Sequence, residues 1–321
     1  MALSQRIRQR ATDRYRLRAS VRRLNRARWV TKARNAQVGE VIRYVLWSPE
    51  VGDYSWTLAN VDEAARSLAD AFDTPVDRVR ALLEEPAEDR QLADDYAARR
   101  HRLLLPSRMA IGQRALWWAM VRLQRPRLTI ETGVWYGLGA LVLLRAIERN
   151  AEDGFDGARL VSFDPDPTAG WLVPDRLRDR WTLIRAFTDD ALEPILSAQR
   201  PDLFIHDTPS GDGATERHEL HMALTYANPG AAIVSGNGMN TTALSDLCRQ
   251  HGLAFHHAPL VPVDHWSHNN GMSLTFATAP RSRADDLLER LEVDAATGRA
   301  VRITRRREEP IDQPGGTGSQ A

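Results

Sequence analysis

"TIETGVWYGLGALVLL", residues 129–144, is the stretch that decides the fold of this 321-residue chain. It begins as a short apolar run, passes through Gly133, Gly137 and Gly139, and then becomes apolar again. Glycines after a strand let the backbone turn tightly and approach a ligand closely. A helix that follows such a loop begins with free N–H groups, and ligands of open α/β sheets bind at the carboxyl ends of strands. The stretch therefore predicts a strand, a ligand-binding loop and a helix.

The spacing of these glycines indicates which ligand the loop binds. A dinucleotide loop has the pattern G-x-G-x-x-G, whereas the pattern here is G-x-x-x-G-x-G. Glu131 precedes the loop, and its charge disfavours a pyrophosphate at the end of the strand. No Lys-Ser or Lys-Thr pair follows, so the loop is not a P-loop. The pattern therefore disfavours a nicotinamide-dependent oxidoreductase.

A second acid follows the next predicted strand, "RLVSFD", at Asp164. A carboxylate at this position can accept hydrogen bonds from both hydroxyls of a ribose. Asp166 is the alternative ribose partner if the strand ends later than predicted. Together with Glu131 and the glycines, these acids describe a pocket for a nucleoside with a cationic extension and no phosphate. S-adenosylmethionine is such a molecule.

The rest of the chain after residue 107 alternates short apolar runs with helical segments, which is typical of a doubly wound, mostly parallel sheet. The last two runs have no helix between them, so one of these strands is expected to run antiparallel at or near the edge. The seven predicted strands span residues 128–131, 159–164, 181–187, 202–207, 231–236, 254–261 and 272–278.

Four regions are predicted along the chain: a basic arm (1–37), a helical subdomain (38–106), an α/β domain (107–304) and a disordered tail (305–321). The arm has 12 basic residues against one acid. Three roles remain open for it: packing on its own domain or on a partner subunit, a floppy tail, and contact with an anionic lipid or nucleic acid.

Bulk composition limits the function classes. The net charge of +1 gives no overall field that would attract nucleic acid or membrane. One cysteine excludes a disulfide framework within the chain, and a reducing, cytoplasmic setting is expected. No signal peptide and no transmembrane segment are expected either, because no apolar run is long enough.

The segment from about residue 107 to 278 resembles the class I S-adenosylmethionine-dependent methyltransferases, most closely the small-molecule O-methyltransferase-like branch. The motifs that carry the resemblance occur in order: E-x-G-x-x-x-G at the first strand, then "VSFDPDP", "PDLFIHDTPS" and "ANPGAAIVSGN". The resemblance implies S-adenosylmethionine as cofactor and S-adenosylhomocysteine as product. The cofactor-binding residues that it implies are Glu131, Gly133, Trp135, Tyr136, Gly137, Gly139, Asp164, Phe187, Thr188 and Asp189.

Within that resemblance Glu131 and Gly133 would lie near the methionine amino group, and Asp164 would hold the ribose. Residues 187–189 would flank the adenine, and Asp207 would face the transferring methyl group. Trp135 and Tyr136 could instead stack on the acceptor.

The chain departs from the metal-dependent members of this branch at the fifth strand, where Ser235-Gly236-Asn237 lacks the expected acid. Mg²⁺ prefers several oxygen ligands, so a metal-independent reaction is expected. Deprotonation of an acceptor hydroxyl then needs a base, for which His206, Asp207, His218, His265 and His268 are the candidates; Asp207, His265 and His268 are favoured. Asp207 is expected to face the site and His206 to be buried or at the sheet's edge.

The sequence thus predicts transfer of a methyl group to a hydroxyl of a small molecule or sugar. A homodimer is possible, with the N-terminal helices capping the acceptor site or forming the dimer contact. Two alternatives stay open: a protein of the same fold that binds the cofactor without turnover, and a nucleic-acid methyltransferase that uses the basic arm.

Overall fold

The structure is a computed structural model. It describes residues 58–100, 114–208, 213–236, 241–261, 272–278, 289–293 and 300–304. The basic arm, the predicted disordered tail, Asn237, His265 and His268 lie outside the described residues. The chain divides into two compact units at Ala279 and Pro280.

The first unit is built on a seven-stranded sheet with the order β3-β2-β1-β4-β5-β7-β6. The strands are β1 (Leu128–Thr132), β2 (Arg159–Phe163), β3 (Trp181–Ile184), β4 (Leu203–His206), β5 (Ala232–Ser235), β6 (Phe255–Leu260) and β7 (Met272–Thr278).

β1 to β5 pair in parallel, while β7 runs antiparallel to both β5 and β6. The predicted doubly wound sheet, with one antiparallel strand next to the edge, is confirmed.

Helices cover both faces of this sheet. They are α1 (Val61–Phe72), α2 (Val76–Glu88), α3 (Arg90–Arg100), α4 (Arg114–Gln124), α5 (Leu138–Glu152), α6 (Thr188–Ala198), α7 (Ala214–Tyr226) and α8 (Ala243–His251). None of the helices in the described part of the chain is both long and apolar enough to cross a bilayer.

Strand alternation produces two apolar clusters. In β1, Ile130 belongs to the cluster that α6, α7 and α8 cover. In the same sheet, Leu160 and Ile205 belong to the cluster that α4 and α5 cover. Glu131, next to Ile130, points its carboxylate toward the α4 and α5 side, because its neighbours are Trp117 and Gly139. The carboxylate of Glu131 is thereby buried in an apolar layer. Buried charged side chains are rare in protein cores.

The third strand is shorter than the sequence predicts. β3 ends at Ile184 rather than at residue 187, and α6 begins at Thr188 with Phe187 as its N-cap residue. Asp189 and Asp190 lie in the first turn of α6, where acidic side chains stabilise the positive end of the helix dipole. Residues 187–189 are therefore the start of a helix at the edge of the sheet.

The N-terminal helices are joined to the α/β part by buried ion pairs. Arg145 of α5 lies 2.9 Å from Asp89, which directly follows α2, and both side chains are almost fully buried. Arg122 of α4 lies 2.8 Å from Glu85 of α2, and the Trp118 indole N–H donates to the same carboxylate. α2 is thus joined to α4 and α5, whereas α1 packs against α2 and β6.

The second compact unit contributes one described feature, an antiparallel pair of strands. β8 (Glu289–Val293) pairs with β9 (Ala300–Thr304), with Glu289 opposite Thr304. The sequence analysis did not predict these strands.

Candidate active site

The carboxyl ends of β1 and β4 lie side by side, with Thr132 opposite His206. From β1 the chain continues to β2 and β3 on one side of β1, whereas β4 and β5 lie on the other side of β1. This is the topological switch point, where open α/β sheets bind their ligands. Gly133 and Asp207 are the first residues beyond the two strands, so they form the floor of the crevice.

The glycine loop is shaped by close contacts as well as by its backbone angles. Gly133 and Gly137 have φ angles of +83° and +96°, which side-chain-bearing residues rarely adopt. A Cβ atom on Gly133 would lie 2.6 Å from the carbonyl oxygen of Asp207, and one on Gly137 would lie 2.8 Å from Cα of Gly170. At Gly139 a Cβ atom would collide with the Glu131 carboxylate and lie 2.9 Å from the Trp117 ring. All three positions therefore require glycine.

Asp164 fastens the glycine loop to the end of β2. Its Oδ2 accepts hydrogen bonds from the backbone N–H groups of Val134 at 2.9 Å and Trp135 at 2.7 Å. Its Oδ1 accepts a third from the N–H of Asp166 at 2.8 Å. A carboxylate has about four acceptor positions, so the loop uses most of them and leaves room for one further donor.

Asp166 is the alternative ribose partner, and its carboxylate is occupied locally. It accepts hydrogen bonds from the backbone N–H and the hydroxyl of Thr168, both at 2.7 Å. These bonds hold the pKa of the Asp166 carboxyl below its ordinary value. Asp164 lies closer to the glycine loop and is the better-placed of the two acids for a ligand on that loop.

Glu131 has a buried carboxylate with one unused oxygen. Its side chain is fully buried, and Oε2 accepts a hydrogen bond from the Ser162 hydroxyl at 2.8 Å. Oε1 has no hydrogen-bond partner within the described part of the chain. Burial raises the pKa of this carboxyl to about 8, against the opposing effect of the Ser162 hydrogen bond. A cation bound beside Oε1 would stabilise the charged form.

Trp135 projects from the loop into solvent in a strained conformation. Its φ angle is +50°, an uncommon value for a bulky residue, and such strain is concentrated at functional sites. Its N–H is held by Asp164, and its carbonyl accepts a hydrogen bond from the N–H of Gly170 at 2.8 Å. The indole is 52% exposed, and its centroid lies 4.3 Å from that of the half-buried Tyr136. The two rings form an aromatic surface beside the crevice.

Asp207 carries an ion pair that the sequence analysis missed. Arg114, in the first turn of α4, has Nη2 at 3.6 Å from Oδ2 of Asp207, and both side chains are mostly buried. The guanidinium also lies over the ring of Trp117 and acts to lower the pKa of Glu131. No local signal marks Arg114 among the 43 basic residues of the chain.

Comparison with known proteins agrees with this geometry. Residues 130–237, from the middle of β1 to just beyond β5, match the family described as "Methyltransferase domain". The match covers 108 of the 321 residues, and this segment is called the methyltransferase domain below. No curated protein matched the chain.

Several solved structures are similar to the chain that carries this methyltransferase domain. One is the O-methyltransferase TomG from Streptomyces achromogenes, involved in tomaymycin synthesis and solved with S-adenosylmethionine (18% identity, 60% of this chain and 90% of that one, TM-score 0.43). Another is an O-methyltransferase from Bacillus cereus solved with S-adenosylhomocysteine (15%, 59% and 90%, TM-score 0.44). A third is cofactor-bound Rv0187 from MTB (19%, 63% and 96%, TM-score 0.46). Identities this low say nothing about the acceptor.

The residues of the methyltransferase domain fit S-adenosylmethionine. Gly133 and Gly137 let the loop pass close to the backbone of Asp207 and Gly170, and the unused oxygen of Glu131 is a suitable partner for the cationic amino group. The remaining acceptor position of Asp164 suits a ribose hydroxyl.

At the predicted adenine edge, Phe187 is 65% exposed. The Thr188 hydroxyl is directed inward and donates to Glu219 at 2.6 Å, so this residue offers a ligand its backbone rather than its hydroxyl. Asp189 is exposed in the same helical turn. The roles of these three residues toward adenine stay predictions.

The fifth strand of the methyltransferase domain ends in a hydrogen-bonded serine. The Ser235 hydroxyl donates to Glu216 of α7, and the Gly236 N–H donates to the carbonyl of His206 at 2.8 Å. The part of the chain that the structure describes holds no group of three or more His, Cys, Asp or Glu side chains suited to a metal. Since Asn237 lies outside that part, metal-independent transfer stays a prediction.

The strand-end residue His206 is completely buried, in agreement with the prediction. It faces α7, where its Nδ1 lies 2.7 Å from Oε2 of Glu219. Glu216 and Glu219 are also completely buried, and the sequence analysis did not single out either one. Two glutamates three residues apart on one helix were a detectable signal, because an apolar helix face does not need them.

Proposed function

We propose that this methyltransferase transfers the methyl group of S-adenosylmethionine to a hydroxyl of a small-molecule or sugar acceptor, without a catalytic metal. The observation that carries the proposal is the buried Glu131 carboxylate, whose unused oxygen lies beside Gly139 of the glycine loop. A buried acid without a partner is costly unless a ligand supplies one. When bound, the cofactor supplies an electrophilic methyl group on a sulfonium.

Three parts of the chain would hold this cofactor. Glu131 pairs with its amino group, Asp164 accepts a ribose hydroxyl, and the start of α6 at Phe187 flanks its adenine. The aromatic surface of Trp135 and Tyr136 lies beside the same crevice and is suited to hold a planar group. These assignments follow from the distances within the loop and from the chemistry of each group.

The acceptor would approach at Asp207. In the proposed reaction the Asp207 carboxylate would take the proton of the acceptor hydroxyl, and the bound cofactor would supply the methyl group to its oxygen and keep the bonding electrons on sulfur. Arg114 keeps the carboxylate oriented at the crevice through the 3.6 Å ion pair. Alignment of the reacting atoms supplies most of the remaining rate enhancement.

A second candidate function is cofactor binding without turnover. It is favoured by the same ion pair, because the Asp207 carboxylate already has the Arg114 guanidinium as a partner. Gly236, in place of the acid of metal-dependent relatives, also favours it. The two candidates agree about the cofactor and differ about whether Asp207 takes a proton.

The test combines calorimetry with a transfer assay. We expect the wild-type chain to bind S-adenosylmethionine and S-adenosylhomocysteine, and Asp164→Ala to bind both at least tenfold more weakly. Asp166→Ala is the matched control, since the side chain of this nearby acid accepts its two described hydrogen bonds from Thr168, within its own turn. Absence of binding by the folded wild-type chain would overturn the proposal.

Methyl transfer is then assayed with phenols, sugars and RNA as acceptors. Product with a phenol or sugar supports the proposed reaction. Product with RNA alone would replace it by nucleic-acid methylation. Binding without product on the whole panel would favour the second candidate.

A further inference from the structure

Glu219 of α7 is a buried carboxylate that the proposed reaction does not use. Its Oε1 accepts a hydrogen bond from the Thr188 hydroxyl at 2.6 Å. Its Oε2 accepts one from the Thr132 hydroxyl at 2.5 Å and lies 2.7 Å from His206 Nδ1. The side chain is completely buried, so this one carboxylate joins three separate segments below the crevice.

Each partner of Glu219 adjoins a residue that the proposed function uses. Thr132 is the last residue of β1, directly before Gly133 of the cofactor loop. His206 is the last residue of β4, directly before Asp207. Thr188 is the first residue of α6, next to Phe187 at the adenine edge. Glu219 therefore contacts all three segments: the two that are proposed to bind the ends of the cofactor and the one on the acceptor side.

The start of α6 depends on this contact more than the two strands do. Thr132 and His206 are already held by the sheet, where they pair with each other. Phe187 makes no side-chain cap hydrogen bond to α6, and its ring is 65% exposed. The described side-chain hydrogen bond that holds this turn is the one from Thr188 to Glu219 of α7, and Glu219 in turn bonds to Thr132 at the end of β1. Loss of the carboxylate is expected to release the adenine edge before it disturbs the sheet.

We propose that Glu219 is a positioning residue that sets the adenine-flanking start of α6 relative to the methyl-transfer centre at Asp207. This inference rests on the proposed function for the identity of the ligand. The geometric part, that one carboxylate orders both segments, is a property of the chain without ligand. It is therefore testable even if the ligand is a different one.

Glu219→Gln tests the carboxylate with little change of shape. Glutamine has one acceptor oxygen, so its amide N–H₂ group must face a hydroxyl donor or His206 in place of the second oxygen. Glu216→Gln is the matched control, because Glu216 lies on the same helix, is equally buried and also accepts hydrogen bonds from two hydroxyls, those of Ser235 and Thr241. Glu216 ties β5 to the start of α8, away from residues 187–189.

Thr188→Val is the second variant, and it removes only the α6 contact. Threonine and valine have similar shapes, and Thr188 is only half-buried, so this variant is expected to fold. If Thr188 acts through Glu219, the effects of Glu219→Gln and Thr188→Val on cofactor affinity will be less than additive. The effects of Glu216→Gln and Thr188→Val will add, because they share no contact.

The experiment has two readouts on the full chain. The first is amide hydrogen exchange without ligand, where Glu219→Gln is expected to speed exchange at residues 187–190 and 207–208 about tenfold or more, and Glu216→Gln to leave both segments unchanged. The second is calorimetry with S-adenosylhomocysteine, where Glu219→Gln and Thr188→Val are each expected to lose about tenfold in affinity while Glu216→Gln stays within about twofold.

If the folded Glu219→Gln chain keeps wild-type exchange in both segments, the positioning role is overturned. If it will not fold, Thr188→Val decides: unchanged exchange at residues 187–190 overturns the inference. Faster exchange in a chain whose wild type does not bind S-adenosylhomocysteine would support the positioning role and overturn the proposed function instead.

Discussion

Trp135 donates its backbone N–H to Oδ2 of Asp164 at 2.7 Å, so the end of β2 holds the most strained residue of the cofactor loop. The same carboxylate oxygen also accepts from Val134. Asp164 thus has two roles at once. It keeps the loop in its binding conformation, and it presents its remaining acceptor position to the ligand.

Asp164→Asn is expected to weaken S-adenosylhomocysteine binding by about tenfold to a hundredfold. One amide oxygen can still accept from the loop, but the N–H₂ group faces either the Asp166 N–H or the ligand. Charge-assisted hydrogen bonds are worth about 1.5–3 kcal/mol each, which sets this range. Titration calorimetry measures the loss. Asp166→Asn is the control, and a larger loss for that variant would assign the ribose to Asp166.

Glu131 is expected to make folding stability depend on pH. Burial raises the pKa of its carboxyl from 4.5 to about 8, so between these values the folded chain holds a proton that the unfolded chain has released. The contribution of this proton to stability is complete below pH 4.5 and is lost as the pH rises to about 8. The free energy of unfolding should therefore fall by at most about 1.4 kcal/mol per pH unit from this group.

Urea unfolding of the wild-type chain and of Glu131→Gln between pH 5 and 9 measures this contribution. The variant should be less dependent on pH, and it should gain stability relative to the wild type as the pH rises. Saturating S-adenosylhomocysteine should reduce the difference, because its amino group stabilises the charged carboxylate. Parallel curves for the two chains would refute the assignment.

Gly133→Ala is expected to destabilise the chain more than Gly157→Ala does. Both glycines have a φ angle of +83°, so both substitutions meet the same backbone strain of about 1–2 kcal/mol. Around Gly157 no atom lies within 4 Å of the added Cβ atom, whereas at Gly133 the Asp207 carbonyl oxygen is at 2.6 Å. Thermal unfolding measures the difference, and equal losses would show that the contact at Gly133 relaxes freely.

Asp207→Asn should separate the two candidate functions. If the carboxylate takes the acceptor proton, kcat should fall by about a hundredfold to ten-thousandfold, with cofactor affinity within about threefold of wild type. Stopped assays of methyl transfer and calorimetry measure the two quantities. Arg114→Met is the companion variant, and it should lower kcat less because the carboxylate remains. An unchanged kcat in Asp207→Asn would move the base to another residue, such as His265 or His268.

The ion pair of Arg145 with Asp89 should be important for attachment of the N-terminal helices. Both side chains are almost fully buried, and removal of Arg145 leaves Asp89 with the more distant guanidinium of Arg149, at 3.9 Å. Arg145→Met is expected to lower the free energy of unfolding by about 3 kcal/mol. The exposed pair of Arg80 with Asp62 is the control, and Arg80→Met should cost far less. Chemical unfolding measures both, and a loss for Arg145→Met as small as that of the control would contradict this role.

Much of the fold was predictable because its signals are local. Apolar runs of four to seven residues, separated by helical periodicity, identify β1 to β7 without knowledge of their neighbours. The error at β3 is also local in origin. "RAF" continues the apolar pattern, yet the acids at 189 and 190 favour a helix start and end the strand at Ile184.

The site residues were predictable only where the local sequence pattern is enough to recognise the role of a residue. Glycines with positive φ, an acid before them and an acid after the next strand can be recognised along the chain. Arg114 and Glu219 could not be assigned in this way. Arg114 pairs with Asp207, 93 residues away in sequence, and Glu219 bonds to Thr132, 87 residues away.

The sequence by itself thus determined the alternating architecture, the glycine loop and the two acids that flank it, because backbone conformation and residue chemistry at those positions are local properties. The tertiary structure alone decided how these parts are held: which carboxylate braces the loop, which guanidinium meets Asp207, and which buried glutamate joins three strand and helix ends. Such contacts depend on the crossing of segments far apart in the chain. A buried polar group has few possible partners, so the loss of one such contact costs more free energy than it would at the surface.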